Sequence, residues 1–391
     1  MTSKRPFTAK NFLNFGLIRE PYMRKFSILI LSGLFALSAY GQDNTPKYSN
    51  EFLSIGISAR ALGMSSSVVA SVNDVTSGYW NPAGLTQITS DMQIGVMHAE
   101  YFAGIAKYDY GSFAMPLKDK SATIGLSLIR FGVDDIPNTL FLVEPDGSIN
   151  YDNITAFSVA DYAFLGSYAT KLKWNNLRVG GNIKVVHREA GDFATAWGFG
   201  LDAGAQMDYK NWKFGATFKD ITSTFNAWSF SFTEEEKDVL LATGNVLPEN
   251  SIEITTPKLI LGAAYDFTIN ENFGLLAEID ADVTTDGRRN VLISAEPISV
   301  DPHLGIEADY KNFIYLRVGI GNVQRYIPDD LYEEVWTLQP NIGLGIEIGP
   351  VQLDYAYTNI GKQSEVLYSH VFSLLFNINK SVPPSTGTPK F

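Results

Sequence analysis

At 391 residues with 45% hydrophobic side chains, the chain has enough apolar surface for one large domain, two ordinary ones, or a lipid-facing wall. Its formal net charge of −12, with lysine and arginine scattered rather than clustered, excludes a nucleic-acid partner, which needs a basic surface to meet phosphate. It holds no cysteine, so disulfide staples, thiolate metal sites and cysteine nucleophiles are excluded, and no cofactor or metal is expected.

In chain order, Arg24-Lys25, the apolar run Phe26 to Leu37 and the small residues of Ser38-Ala39-Tyr40-Gly41 predict a secretory signal peptide over residues 1–41. Met23 is the expected start, and Gln42 the expected mature N-terminus. The apolar run is too short for a spanning helix, which needs about 20 residues. No later stretch approaches about 18 consecutive apolar residues, so a membrane location requires a barrel; a soluble periplasmic or secreted β-protein is the alternative.

Residues 42–90 differ in pattern from the rest of the chain: Phe52, Ile55, Ile57 and Arg60, then Gly63-Met64, then Trp80-Asn81-Pro82-Ala83-Gly84-Leu85. They predict a small hatch or plug of short helix and turn. Pro82 and Gly84 are expected there because few other residues fit a sharp turn.

Residues 91–379 become a series of segments in which apolar residues alternate with small or polar ones, as on a two-faced strand. Fourteen strands are predicted, at 91–103, 105–117, 121–132, 155–172, 176–189, 193–208, 211–222, 256–268, 272–284, 300–310, 312–322, 334–347, 350–360 and 367–379. One face is greasy: Leu259, Leu261, Ala263; Leu275, Ala277, Ile279; Leu316, Val318, Ile320; Leu344, Ile346; Leu353, Tyr355. The other carries Glu278, Asp280, Asp282, Glu307, Asp309, Arg317 and Asp354 among glycines.

Alternation alone fits a sandwich and a membrane barrel equally. Three features favour the barrel. Most segments reach the roughly 9 to 11 residues of a tilted bilayer-spanning strand. Aromatic residues gather toward segment ends (Tyr101, Phe102, Trp174, Trp197, Trp212, Phe273, Phe313, Trp336, Tyr355, Tyr357), as in interfacial girdles. Tight connections (Lys118 to Lys120, Lys173 to Asn175, Tyr209-Lys210, Ile269 to Glu271, Lys311, Ile348-Gly349) fall at every second position, and nearly all the links between them are long. Short turns on one rim and long loops on the other are what an even-stranded barrel with both termini in the periplasm requires.

On this reading the seven charged residues face the lumen as ordinary filling, with Arg317, Lys184 and Arg178 to pair them. The long link from Ser223 to Thr255 carries Phe225, Trp228, Phe230 and Phe232, ahead of Glu234-Glu235-Glu236. It is a candidate partner-binding surface, and equally a loop that caps the mouth. The four histidines (His98, His187, His303, His370) lie on separated strands with no nucleophile and base arrangement, so an enzyme is not expected. Residues 380–391, rich in Pro, Ser and Thr, predict a tail that does not pack.

Phe52 to Leu85, with Ile55-Gly56, Ala59-Arg60-Ala61-Leu62-Gly63-Met64, Val69 to Asp74 and Tyr79-Trp80-Asn81-Pro82-Ala83-Gly84-Leu85, resembles the N-terminal signature of the PorV/PorQ family of Bacteroidetes outer-membrane proteins. Asp161-Tyr162 through Leu172, then Leu177 to Val186, resembles that family's mid-barrel hairpin. The family is related to the FadL transporters, so the resemblance implies an all-β, antiparallel, transmembrane barrel of about fourteen strands with a hatch in its lumen. It implies outer-membrane lipid around the wall and protein partners: a secretion translocon, cargo or attachment proteins of type IX secretion, bound by a shuttle or scaffold without catalysis. The residues after Trp80-Asn81-Pro82 depart from what PorV would carry, which points to a paralogue. The alternative expectation is a FadL-like channel for hydrophobic small molecules, with an apolar pocket and a lateral opening.

Overall fold

The structure, a computed structural model, describes residues 49–379 apart from Pro145, Asn175, 328–332 and 359–368. The expected signal peptide (1–41), the C-terminal tail (380–391) and the link at 361–366 lie outside the described residues.

Seventeen strands succeed one another in chain order: β1 (Met92–Tyr101), β2 (Ala106–Pro116), β3 (Ala122–Asn138), β4 (Thr155–Lys171), β5 (Leu177–Ala190), β6 (Ala194–Tyr209), β7 (Trp212–Lys219), β8 (Phe225–Phe230), β9 (Ser251–Ile254), β10 (Lys258–Thr268), β11 (Phe273–Thr284), β12 (Ile293–Ser294), β13 (Ser299–Tyr310), β14 (Ile314–Tyr326), β15 (Val335–Ile348), β16 (Val351–Thr358) and β17 (Ser369–Ile378). Fourteen of them form a closed antiparallel ring. Each pairs with the next, β7 pairs with β10, β11 with β13, and β17 closes on β1 through Val96↔Leu374 and Ala99↔Val371. Closure leaves no unpaired edge, which a wall in hydrocarbon requires. Two short helices precede the wall, α1 (Ala59–Gly63) and α2 (Ser77–Trp80), and a third, α3 (Glu234–Ala242), lies between β8 and β9.

The two faces are inverted relative to a soluble sandwich. Leu261, Ile279, Leu316, Val318, Ile342 and Leu344 point outward, and Leu344 is 51% exposed. Glu278 and Asp280 from β11, Arg317 from β14 and Asp354 from β16, next to the exposed Leu353, point inward and are buried. Greasy residues outside and charge inside are stable only if the outside meets lipid, so the alternation resolves as a transmembrane barrel. Trp174, Trp197, Trp212 and Trp336 stand exposed on the outer surface. Tyr101, expected in that girdle, instead turns inward and packs 6.2 Å from the Tyr108 ring, because its position on β1 has lumen parity.

The predicted strands match the ring, with differences at the long-loop rim. β3 runs past residue 132 to Asn138 through a register shift between Val133 and Ile136, where Asp135 takes a left-handed conformation (φ 58°). The link from Ser223 to Thr255 is not a plain loop. β6 rises above the end of β7, so its residues 194–199 need a partner for their backbone, and β8 pairs with them while β9 pairs with β8. The three glutamates after the aromatic run are the first turn of α3. Thr233 and Glu236 form its capping box, and acidic side chains suit the positive end of the helix dipole.

Candidate functional site

Residues 49–90 fill the lumen. Ser49 and Asn50 begin at the long-loop end, where Asn50 Nδ2 donates to Thr255 Oγ1 (2.7 Å) and Asn226 Nδ2 donates to Asn50 Oδ1 (2.9 Å). The chain then descends through α1 and α2 and reaches β1 at the short-turn rim, where β1 starts and β17 ends. Its apolar residues (Phe52, Ile57, Leu62, Met64, Val68, Val72, Tyr79, Trp80) form the core of the molecule together with Tyr101, Tyr108 and Ile129 of the wall.

The turn chemistry of Trp80 to Leu85 has a mechanical basis. Trp80 Nε1 donates to Ile57 O (3.0 Å) and ties the two halves of the hatch together. Asn81 accepts from Ala83 N with Oδ1, while its Nδ2 donates to Val69 O (2.9 Å) and to Ala205 O of β6 (3.0 Å). Pro82 comes next, at the first position of a 3-10 turn, where its fixed φ fits and its missing N–H costs nothing. Gly84 and Leu85 are buried in that turn.

Wall glycines let hatch backbone come close. A Cβ on Gly63 would stand 2.9 Å from Gly343 Cα, and one on Gly319 would stand 2.5 Å from Ser65 N. Met64 lies across Gly305 and Gly319, so the Gly63-Met64 pair is a fitted contact with β13 to β15.

Of the seven charged residues expected to face the lumen, Glu278, Asp280 and Glu307 bond directly to the hatch, and the other four pair within the wall. Arg60 of α1 forms a two-pronged pair with Glu307 (2.9 and 3.1 Å). Burial works against the Arg60 charge, and the Glu307 carboxylate outweighs it, so the guanidinium is held above its ordinary pKa. Arg317 also reaches Glu307 (2.5 Å) and Asp354 (2.6 Å). Asp280 accepts from the backbone N–H of Val68 and Val69 (both 2.9 Å), and Glu278 from that of Ala70 (2.7 Å). Asp282 pairs with Lys258 (2.8 Å) near the mouth. Asp309 lies at the short-turn end and accepts from Asn312 N (3.1 Å). Lys184 and Arg178 do not serve these carboxylates: Lys184 pairs with Asp202 and Asp220, and Arg178 with Asp208. Cross-strand neighbours within β5 to β7 are nearer to them than the far wall.

Sequence reading missed most of the uncharged half of this interface, Asn341 of the polar face excepted. Gln206 donates to Val69 O and Val72 O (3.1 and 2.9 Å), Thr217 to Trp80 O (3.0 Å), Asn182 to Gly78 O (2.8 Å) and Asn341 to Ser65 Oγ (2.6 Å). Their lumen parity was the available signal.

The candidate aromatic surface divides. Trp228, Phe230 and Phe232 stack on one another (6.3 and 6.5 Å between centroids) on the inner side of β8, with Arg188 over Trp228 at 5.0 Å. Phe225 falls on the opposite face, since side chains of a strand alternate and it is an odd number of residues from Trp228.

Chambers lie on both sides of the hatch. One of about 530 Å³ at the long-loop end is lined by Glu51, Ser65, Lys258, Asp282, His303 and Asn322. Another of about 710 Å³ at the short-turn end is lined by Arg60, Asp74, Gln87, Lys213, Asp309 and Gln352. A third hollow, about 630 Å³ and largely apolar, lies on the wall across β2 to β6, where Gly166 and Gly181 leave space among Phe113, Leu126, Tyr168 and Ile183. Among the described residues no group of three or more His, Cys, Asp or Glu side chains is placed to share a metal ion.

The chain matches no protein-family model and no curated protein sequence. In structure it is similar to the toluene transporter TbuX of Ralstonia pickettii (TM-score 0.50, 12% identity, covering 83% of this chain and 99% of that one). It is similar also to the toluene transporter TodX of Pseudomonas putida (TM-score 0.50, 15% identity, 83% and 98%) and to the monoaromatic hydrocarbon channel CymD (TM-score 0.50, 12% identity, 83% and 98%). At these identities the likeness is one of fold. The expected architecture is the one observed: a closed antiparallel barrel of fourteen strands preceded by a small N-terminal segment.

Proposed function

We propose that this chain is an outer-membrane channel for hydrophobic small molecules, with the hatch as its gate. The observation that carries this reading is a lumen filled by a separate segment between two solvent chambers. A ring of this size is too wide for wall side chains alone to fill, and a plug that rests on hydrogen bonds and fitted contacts is able to shift. The apolar hollow at Gly166 and Gly181 supports a hydrophobic solute and a passage through the wall into the bilayer. The toluene and hydrocarbon channels that share the fold point the same way. In this reading the long loops face outward, and β1 and β17 meet the periplasm.

The test is uptake of a labelled monoaromatic hydrocarbon by a Gram-negative host that has no such channel of its own. Expression of the chain should speed uptake, and Gly166→Trp, which fills the hollow from outside, should abolish the gain while the barrel stays folded. Uptake equal to that of cells with an empty vector overturns the reading.

A second reading, a protein-binding shuttle or scaffold of a type IX secretion complex, draws on the PorV/PorQ-like hatch motif and on the stacked Trp228, Phe230 and Phe232 of the β8 to β9 projection. Purification from native membranes in mild detergent should then yield stoichiometric translocon or attachment proteins, lost on Trp228→Ala. Purification of the barrel alone counts against it.

A further inference from the structure

Around α1 and β11 the lumen charges do not balance. Arg60 and Arg317 supply two positive charges, and Glu307 and Asp354, which they contact, supply two negative ones. Glu278 and Asp280 remain, two neighbouring carboxyl groups, each on a residue only 1% exposed and neither in an ion pair among the described residues. Asp74, the next acidic group toward Arg60, is spent on Thr76 and adds to the excess. Two buried carboxylates without a cation are strongly disfavoured.

The hatch segment that wraps these two carboxylates is Ser67 to Ser71. The amides of its three central residues, Val68, Val69 and Ala70, point at them. The flanking residues Ser67 and Ser71 are 0% and 5% exposed, and the Ser71 side chain faces Glu278. Four oxygens there have no hydrogen-bond partner among the described residues: Glu278 Oε2, Asp280 Oδ1, Ser67 Oγ and Ser71 Oγ. Gly262, opposite Asp280 on β10, leaves the space into which Asp280 Oδ1 projects.

We propose that Glu278 and Asp280, with the Ser67 and Ser71 hydroxyls, bind one calcium ion that clamps the hatch to β11. The donors are all oxygen, which suits a hard cation, and two carboxylates neutralise a divalent one. The protein donors are few and irregularly disposed, and Ser71 borders the chamber of about 710 Å³, from which water can complete the shell. Such irregularity selects calcium, which accepts protein oxygens in flexible geometry, over magnesium, which retains several waters in a near-ideal octahedron. The ion ties the hatch loop to β11, on the side opposite the hydrogen bonds that Gln206 of β6 gives it, whatever passes through the barrel.

The full-length protein in detergent, stripped with a chelator and dialysed against calcium, should retain one calcium per chain by elemental mass spectrometry. Its thermal unfolding, read from the heat-dependent gel mobility of a folded barrel, should shift upward with calcium and less with equal magnesium. Asp280→Asn and Glu278→Gln should each lose bound calcium and the shift. Glu307→Gln, which lies outside the site, should be less stable and keep the shift. Metal content of the unmodified protein decides even where a variant does not fold. No retained calcium, a stability that follows pH and ignores calcium, or a shift that survives in both carboxylate variants overturns the proposal.

Discussion

Leu316, Val318 and Ile320 project from β14 into the lipid-facing layer, while Arg317 and Gly319, one residue away on the same strand, meet the hatch. The outer row has one requirement, apolar surface, and any of several side chains meets it. The inner row is fitted atom to atom: Arg317 to two carboxylates, Gly319 to the Met64 and Ser65 backbone. Lipid adapts to the shape of whatever faces it, whereas a packed segment does not. Tolerance to substitution should therefore alternate residue by residue along each strand.

The largest break in that pattern is expected at Gly319→Val. The added Cβ meets backbone that has no flexible end to move, so the hatch is displaced and the closed barrel should conduct ions steadily in a planar bilayer. Conductance unchanged from the parent would show that the fit is loose. Next comes Arg317→Leu, which leaves the buried Asp354 without its cation and Glu307 with Arg60 alone, and should cost about 3–5 kcal/mol in urea unfolding from detergent. On the outer face Leu344→Lys should cost about 2–4 kcal/mol near the bilayer midplane, against less than about 1.5 kcal/mol for Leu344→Ile. Equal costs for those two would mean that the outer face does not meet lipid. Smallest of the inner changes is Asn81→Ala, about 1–3 kcal/mol, since Val69 O and Ala205 O each lose a donor. If Asn81→Ala were as mild as Leu344→Ile, the inner face would be as permissive as the outer one.

Strand number, parity and the sorting of loop lengths were legible because each obeys local rules: period two for a strand, small polar residues at tight turns, and long links left over. The hatch was legible as a separate segment since its pattern of Gly, Pro and Trp differs from alternation. The capping box at Thr233 and Glu236 was in the sequence too, and the aromatic run before it drew the reading toward a loop. The extension of β3 beyond residue 132 was not legible, because a bulge breaks the parity on which strand assignment rests.

By itself the sequence determined that the chain forms a closed wall with charge on one side and grease on the other. Alternation and turn chemistry act over a few residues and need no partner from elsewhere in the chain. Only the tertiary structure decided which lumen charges pair. Lys184 takes Asp202 and Asp220 rather than a carboxylate across the lumen, and Glu278 and Asp280 are left to the hatch backbone. Those partners are set by ring closure and by where the hatch threads, which bring together residues some 200 positions apart, as with Ala70 and Glu278 (208).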